Sequence, residues 1–128
     1  MTLSQFTNYS YDRLNRLTEV TDRIGQLTSI RYNDTNGLTR TITDRRTNQR
    51  VEVYDALGRM TSARQGGQPL VSYEYDSNSN RTALVDGRNN RTEYSYDAFN
   101  RVTSVNHAGM QNETFGYDSN GNVMTCFV

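Results

Sequence analysis

The stretch Tyr54-Asp55-Ala56-Leu57-Gly58-Arg59-Met60-Thr61 decides the fold, because relatives of it return along the whole chain. Each copy begins with a tyrosine, and successive tyrosines are 21, 22, 21, 21 and 21 residues apart. The frame tyrosines are Tyr11, Tyr32, Tyr54, Tyr75, Tyr96 and Tyr117. A fixed internal period of this length is the signature of a repeat architecture. The chain is therefore predicted to be one unit, repeated.

Each unit carries the residues of a tight turn directly after its frame tyrosine. A short acidic side chain there can accept a hydrogen bond from the backbone two residues on, which starts a turn. These residues are Asp12, Asp55, Asp76, Asp97 and Asp118, with Asn33 in the second unit. Four residues after the tyrosine come Asn15, Asn36, Gly58, Ser79, Asn100 and Gly121, and five of these six tolerate a positive φ at low cost. The pattern predicts that the chain reverses at this point in every unit.

The segments on either side of the turn have the pattern of β-strands. An apolar or aromatic residue two positions before the tyrosine shares its face of a strand, since strands alternate with period two. These residues are Tyr9, Ile30, Tyr73, Tyr94 and Phe115, and the second strand opens at Leu17, Leu38, Met60, Val102 and Val123. No segment is long enough, or has the apolar stripe, for a helix. We predict an all-β fold of repeated hairpins of about 21 residues, with about twelve strands.

The composition limits the size of the core. Only 34% of the residues are hydrophobic, against roughly 45–50% in ordinary globular domains. The chain instead carries 16 Thr, 14 Asn and 9 Tyr, and its aromatic and β-branched residues argue against disorder. Residues 1–128 are therefore predicted to form a single domain, a thin sheet with wet faces and six repeats, the sixth split between the two termini.

The charges are balanced, with 14 basic and 14 acidic residues. This balance argues against nucleic acid as a partner. Every basic side chain apart from the single histidine is arginine, which pairs with carboxylates and stacks on aromatic rings. Arginine beside Asp and Tyr in each unit indicates lateral ladders between strands. The alternative is that these are solvated charges that contribute little.

No stretch has the roughly 20 apolar residues of a membrane span. Residues 1–10 also lack the basic start and apolar run of a signal peptide. The single Cys126 cannot form an internal disulfide, and a small apolar role is favoured over a bridge between chains.

The unit resembles the YD repeat of RHS proteins and teneurins. The pattern Tyr-Asp-x-x-Gly-Arg-Leu-Thr is clearest at residues 54–61 and 11–18, and the resemblance covers essentially the whole chain. It implies a continuous antiparallel sheet that winds as a spiral into a hollow shell. Such shells enclose a toxic C-terminal domain in bacterial members, and in teneurins they belong to a cell-surface adhesion protein. The resemblance thus implies an extracellular or cell-surface location.

The sequence departs from those large proteins in two respects. Their shells typically end in a self-cleaving motif that contains an Asp-Pro pair, whereas the only proline here is Pro69, preceded by Gln68. No cargo domain is visible, and about twelve strands are too few to enclose one. We expect the repeat to carry over to this chain, but not toxin delivery.

Two units depart from the regular pattern. In the second unit the polar run 44–50 is predicted to be an exposed loop tip. In the fourth, Asn78, Ser79 and Asn80 are expected to lengthen the turn, and Arg81 takes a slot that holds an aliphatic residue elsewhere. Leu84 and Val85 are expected to supply the buried contacts there.

The sequence predicts no enzyme, no metal site and no cofactor. His107 and Cys126 are the only candidates for a catalytic pair, but nothing places them together, and His107 is expected in an exposed loop. The repeated aspartates lack the dense loop of calcium sites. The tyrosine rows could stack on sugars, which makes a carbohydrate-binding or adhesion module the alternative, with surface glycans as partners and a specialised fourth unit near Tyr73 and Tyr75 as its site. Cross-strand packing of the tyrosines is favoured.

The two ends of the chain predict self-assembly. From Tyr117 to the C-terminus there are 12 residues and before Tyr11 there are 10, which together make one repeat. Half-hairpins present strand edges that pair with other chains, and a contact that does not close builds a helical polymer. We expect copies to join head to tail into a fibre or tube; a closed ring and a remnant of an RHS shell are the alternatives. The edge residues are Phe6, Tyr9, Val123, Cys126 and Phe127.

Overall fold

The computed structural model describes residues 6–35 and 38–127, with residues 125–127 described by their backbone alone. The described residues form twelve β-strands and no helix. The strands are β1 (Asn8–Tyr11), β2 (Leu17–Thr21), β3 (Leu27–Asn33), β4 (Leu38–Thr43), β5 (Gln49–Tyr54), β6 (Met60–Gln65), β7 (Gln68–Tyr75), β8 (Arg81–Asp86), β9 (Arg91–Tyr96), β10 (Val102–His107), β11 (Glu113–Tyr117) and β12 (Val123–Phe127). They follow one another through an antiparallel sheet in chain order. The predicted fold class is confirmed, and residues 6–35 and 38–127 contain no helix that could span a membrane.

The repeat frame sets the limits of the strands. Five of the six frame tyrosines are the last residue of an odd-numbered strand, and Tyr32 is the last but one of β3. The even-numbered strands open six residues later, including β8 at Arg81. In most hairpins that follow a frame tyrosine the ladder slips by one residue next to that tyrosine, which leaves Thr18 or Thr61 as the extra residue of a β-bulge.

The hairpin that follows Tyr32, formed by β3 and β4, has no such bulge. β3 and β4 pair from Ser29 opposite Thr43 to Asn33 opposite Thr39 without a register shift. This unit has 22 residues, one more than the other complete units. Its hairpin has a regular ladder where the hairpins of the other units have a bulge. Asn36, predicted at the turn, lies outside the described residues.

Among the described residues, eight turns share one aspartate geometry. In each, the aspartate N–H donates to the carbonyl four residues on, and the N–H three residues on donates back to the aspartate carbonyl. The third residue after the aspartate has a positive φ, for example 77° at Gly58 and 64° at Thr47. The aspartates are Asp12, Asp22, Asp44, Asp55, Asp76, Asp86, Asp97 and Asp118. Five of these turns follow a frame tyrosine. The other three, at Asp22, Asp44 and Asp86, lie at the opposite edge of the sheet, between an even-numbered strand and the next odd-numbered one, and they have the same hydrogen bonds.

Two predicted loops are shorter than expected. The polar run 44–50 turns within residues 44–48, and Gln49 and Arg50 already belong to β5. The fourth unit turns within residues 76–80, which is the length found in the other units. Asn78, Ser79 and Asn80 therefore change the side chains of this turn relative to the other units, but not its length.

The chain divides into two compact units, one ending at Pro69 and the other beginning at Leu70. In the first unit the buried side chains are Ala63 and Glu52, and in the second Ala83. Leu84 and Val85, expected to be buried in the fourth repeat, are only half-buried. Among the described residues no large side chain is fully buried. Stability must therefore come from many half-buried contacts along the ladders, as the low apolar content indicates.

Candidate functional site

The turn after each frame tyrosine holds its aspartate by several hydrogen bonds. In the third repeat Asp55 Oδ1 accepts hydrogen bonds from the backbone N–H groups of Leu57 and Arg59, both at 3.0 Å. Its Oδ2 accepts one from Arg59 Nε at 2.7 Å. The backbone hydrogen bond from Arg59, supported by that side chain, holds the pKa of Asp55 below its ordinary value. The carboxylate is thus fixed as a turn-forming group.

A tyrosine clamp joins one repeat to the next. Arg16 lies over the ring of Tyr32, with its Cζ 4.2 Å from the ring centroid. The Tyr32 hydroxyl donates to the carbonyl of Leu17 at 2.9 Å. Cation–π stacking and the hydrogen bond together tie the aromatic ring to the preceding hairpin.

The same clamp recurs in the second unit of the structure. Arg101 stacks over Tyr117 at 4.3 Å, and the Tyr117 hydroxyl donates to the carbonyl of Val102 at 2.6 Å. The Tyr96 hydroxyl donates to the carbonyl of Arg81 at 2.8 Å. The arginine and tyrosine of the repeat therefore act as lateral connections between hairpins.

The second repeat contains a buried carboxylate that the sequence did not single out. The side chain of Glu52 is 6% exposed. It accepts hydrogen bonds from Arg40 Nε, Arg50 Nε and the Tyr54 hydroxyl, each at 2.8 Å. Burial raises the pKa of Glu52, but the hydrogen bonds from Tyr54 and Arg40 outweigh it and hold the pKa below its ordinary value. A signal was present in the sequence, because Glu52 occupies the slot two residues before Tyr54 that is apolar or aromatic in the other repeats.

An open groove lies beside this cluster. It has a volume of about 240 Å³ and is lined by residues that include Tyr32, Leu38, Arg40 and Tyr54. Aromatic and aliphatic surfaces face it together with the charged groups of Arg16, Asp34 and Arg40.

In the fourth repeat Arg81 lies between two aromatic rings. Its Cζ is 5.1 Å from the ring centroid of Tyr73 and 5.6 Å from that of Tyr94. Asn80 donates to Asp76 Oδ2 at 3.0 Å and to Asn100 Oδ1 at 2.8 Å. Arg81 thus takes the position that an apolar residue holds in the other repeats, and its guanidinium lies between two aromatic rings.

The two edge strands carry exposed side chains without charge. Tyr9 and Tyr11 of β1 are 57% and 61% exposed, and Val123 and Met124 of β12 are 57% and 65% exposed. Phe6, just before β1, is 75% exposed. Cys126 and Phe127 belong to β12, and their side chains lie outside the described part of the structure. In the strand order β1 and β12 each have one neighbour.

The structure corrects the expected position of the histidine. His107 is the last residue of β10 and is half-buried, not an exposed loop residue. Its Nδ1 lies 3.2 Å from Thr92 Oγ1 on β9, whereas Cys126 pairs with Phe115 on β11. Within the described residues there is no cluster of three or more His, Cys, Asp or Glu that could hold a metal ion.

Comparison with known families identifies the repeat. The model of the RHS Repeat family matches residues 75–109. Over these residues, the match confirms the resemblance seen in the repeat pattern. No curated protein matches the sequence.

Solved structures share the fold. A chain of the Photorhabdus luminescens Tc holotoxin pore is similar with a TM-score of 0.64 and 22% identity, over 80% of this chain and 5% of its own length. A chain in the crystal structure of TcdB2, TccC3 and Cdc42 is similar with a TM-score of 0.66 and 23% identity, over 93% of this chain and 6% of its own length. The present chain thus spans about one twentieth of these much larger proteins.

Proposed function

The chain carries an RHS repeat at residues 75–109, and on that premise we propose that it is a structural, non-enzymatic protein of the extracellular space or cell surface. Copies of it join head to tail by strand pairing and build a fibre or tube. The observation that carries this proposal is the pair of uncharged edge strands β1 and β12, on which Tyr9, Tyr11, Val123 and Met124 are exposed. Edge strands of soluble proteins are often protected by charges or proline, which β1 and β12 lack, and edges without that protection recruit another strand. The bulge of β12 at Met124 does not oppose this, because β8 has the same bulge and still pairs with β9.

The arrangement of the described side chains supports a structural role. The aspartates of the turns bind backbone N–H groups, and the frame tyrosines Tyr32, Tyr96 and Tyr117 bind neighbouring hairpins. His107 is hydrogen-bonded to Thr92 within the sheet. If the protein has no catalytic function, a His107→Gln, Cys126→Ser variant should keep all measured behaviour. An activity that vanishes in this variant would overturn the non-enzymatic part of the proposal.

Negative-stain electron microscopy of the purified chain tests the assembly. We expect filaments in the wild type and none after deletion of residues 1–10 or in Tyr9→Lys, since a lysine on an edge strand opposes pairing. Leu57→Lys is the matched control, because Leu57 is 71% exposed on a turn. Filaments that persist in Tyr9→Lys, or a wild type that stays monomeric at high concentration, would contradict the proposal.

A second candidate is that the chain forms a section of the wall of an RHS-type shell. It is supported by the similar chains, of which this chain covers 5% and 6%. The two functions differ in what covers the edge strands: another copy, or further repeats of a longer polypeptide. Immunoblotting of the source cells separates them, because a free filament subunit migrates at 14.7 kDa and a shell section migrates within a far larger chain.

Glycan binding is a third candidate, and the groove between Tyr32 and Tyr54 is the observation that favours it. If this candidate holds, the specialised repeat is the second, whereas the sequence pattern favoured the fourth. A glycan array probed with wild type, Tyr54→Ala and Tyr73→Ala distinguishes these sites. Binding lost only in Tyr54→Ala supports the groove, binding lost only in Tyr73→Ala supports the fourth repeat, and no binding by the wild type removes the candidate.

A further inference from the structure

Three of the described pairings between successive repeats follow one register. In the pairing of β8 with β9, Ala83 lies opposite Glu93; Ala83 is eight residues after Tyr75 and Glu93 three before Tyr96. Glu19 opposite Ser29 and Ser104 opposite Thr114 have the same offsets from their own frame tyrosines. The pairing of β4 with β5 is shifted by one residue, with Arg40 opposite Glu52, and the hairpin before it has no bulge. The common register therefore belongs to units whose hairpin has the bulge. The hairpin of β11 and β12 has that bulge, so the register can be applied to β12.

Strand β1 has the sequence of an interior strand and the exposure of an edge. Residues 7–12 read Thr-Asn-Tyr-Ser-Tyr-Asp, and residues 92–97 read Thr-Glu-Tyr-Ser-Tyr-Asp. The strand β9, to which the second stretch belongs, pairs with β8 on one side and β10 on the other. Tyr94 of β9 is half-buried, whereas its counterpart Tyr9 is 57% exposed. Within the part of the chain that the structure describes, no strand corresponding to β8 pairs with β1.

Three frame tyrosines share a backbone partner for the hydroxyl that is not found for Tyr11 among the described residues. Tyr32, Tyr96 and Tyr117 each donate to the carbonyl six residues after the preceding frame tyrosine. Among the described residues Tyr11 has no such hydrogen bond, and it is 61% exposed. Six residues after Tyr117 comes Val123, the first residue of β12. The carbonyl of Val123 thus holds the acceptor position for a frame tyrosine that follows β12.

We propose that β12 of one copy pairs with β1 of a second copy in the internal register, with Cys126 opposite Thr7 and Thr125 opposite Asn8. The hydroxyl of Tyr11 in the second copy then donates to the carbonyl of Val123. This inference rests on the proposed head-to-tail assembly and names its register and its contacts. The second copy is the occupant because β12 supplies an uncharged strand with the spacing that β1 requires.

A disulfide trap tests the register on the full chain. In Thr7→Cys the introduced thiol faces Cys126 of the neighbouring copy, and directly opposed antiparallel residues lie about 4.5–5.5 Å apart between Cα atoms, within the range of disulfides. Oxidised glutathione accepts the two electrons as the disulfide forms. We expect a ladder of covalent multimers on non-reducing gels that collapses on reduction and is absent after a further Cys126→Ser substitution.

The matched control is Asn8→Cys, which moves the thiol one residue along β1 and onto the other face of the sheet. It should give at most the disulfide-linked dimers that Cys126 gives in the wild type. A ladder as strong in Asn8→Cys as in Thr7→Cys, with association intact, overturns the register and leaves the proposed function standing. A monomer in sedimentation with no ladder in either variant overturns both.

The Tyr11 clamp has its own test. In Tyr11→Phe the association constant should fall about fivefold, as expected for one hydrogen bond. Thermal unfolding of the dilute monomer should not change, because none of the described residues accepts a hydrogen bond from this hydroxyl there. An unchanged association constant would show that Tyr11 does not contact Val123 across the interface.

Discussion

One backbone position in each aspartate turn has a conformation that is unfavourable for most residues other than glycine. The third residue after the turn aspartate has a positive φ, and in the turn after β4 this residue is Thr47, with φ 64°. A β-branched residue is a rare occupant of that region, whereas glycine adopts it without steric cost. The sequence at this turn therefore favours its structure less than the sequence at Gly58 does.

We predict that Thr47→Gly raises the free energy of unfolding by about 1 kcal/mol, since the strain of about 1–2 kcal/mol is partly offset by the greater freedom of glycine when unfolded. Gly58→Thr should lower it by about the same amount. Urea denaturation monitored by circular dichroism measures both. A Thr47→Gly variant less stable than wild type would show that the turn does not store this strain.

The turn carboxylates predict sensitivity to acid. The pKa of Asp55 and that of Asp97 are lowered below 3.8, chiefly by hydrogen bonds from the backbone of Arg59 and Arg101. A lowered pKa in the folded state means that the stabilisation is complete above the unfolded-state pKa and is lost as the pH falls through the folded-state value. The urea midpoint should therefore fall as the pH is lowered past the ordinary aspartate pKa of about 3.9.

Asp97→Asn is the control for this effect. It keeps one acceptor oxygen for the backbone amides but removes the titrating group, so its urea midpoint should fall less steeply in acid than that of the wild type. Parallel pH profiles for the two proteins would argue that other carboxyl groups dominate.

At the scale of single residues the sequence predicted the turns but missed the charge cluster. The role of Asp55 and the positive φ of Gly58 follow from the chemistry of those residue types alone. The burial of Glu52 depends on Arg40 and Arg50, which reach it from β4 and β5. The contact between Arg40 and Glu52 depends on the register of β4 against β5. The inserted residue changed that register in this repeat.

At the scale of the strands, the tyrosine clamp should contribute measurably to stability. Tyr117→Phe removes the hydrogen bond to the carbonyl of Val102 and should lower the free energy of unfolding by about 1 kcal/mol. Tyr11→Phe, measured on the dilute monomer, is the control, because no described residue accepts a hydrogen bond from Tyr11. Equal effects of the two substitutions in urea denaturation would contradict the clamp.

The buried carboxylate gives a second prediction for the strands. Glu52→Ala should lower the free energy of unfolding by about 2 kcal/mol, less than the usual 3–5 kcal/mol for a broken buried ion pair. The reason is that Arg40 and Arg50 are 36% and 41% exposed and can be hydrated.

The combined variant Arg40→Leu, Glu52→Tyr restores the aromatic slot of the other repeats. It should match or exceed the wild type in stability, because replacing a buried ion pair by packed apolar groups is often neutral or stabilising. A loss as large as that of Glu52→Ala would show that the ion pairs themselves stabilise β4 and β5.

The strand boundaries were predictable to a residue at several places. The even-numbered strands open at Leu17, Met60 and Val102, as the period of the sequence predicts. The missing bulge between β3 and β4 was not predictable. The spacing of the tyrosines shows that this unit has one additional residue. It does not show whether that residue lies in a regular ladder, a bulge or a turn.

At the scale of the whole molecule, the low apolar content correctly predicted a sheet without a large core. Glu52, Ala63 and Ala83 are the buried side chains among the described residues. A sheet of this kind gains stability with each strand added to an edge, because every new strand half-buries the one before it. The exposed tyrosines of β1 are the physical reason to expect that an additional strand binds there.

The most direct test of this account is hydrogen–deuterium exchange of the wild-type protein over a range of concentrations. Half of the amides in β1 and β12 face β2 and β11, and the other half face away from them. We predict that the outward-facing amides exchange fast in dilute solution and become protected as the concentration rises, while the inward-facing ones stay protected throughout. Outward-facing amides that exchange fast at every concentration would contradict assembly through the edge strands, and protection already complete at the lowest concentration would contradict assembly between copies.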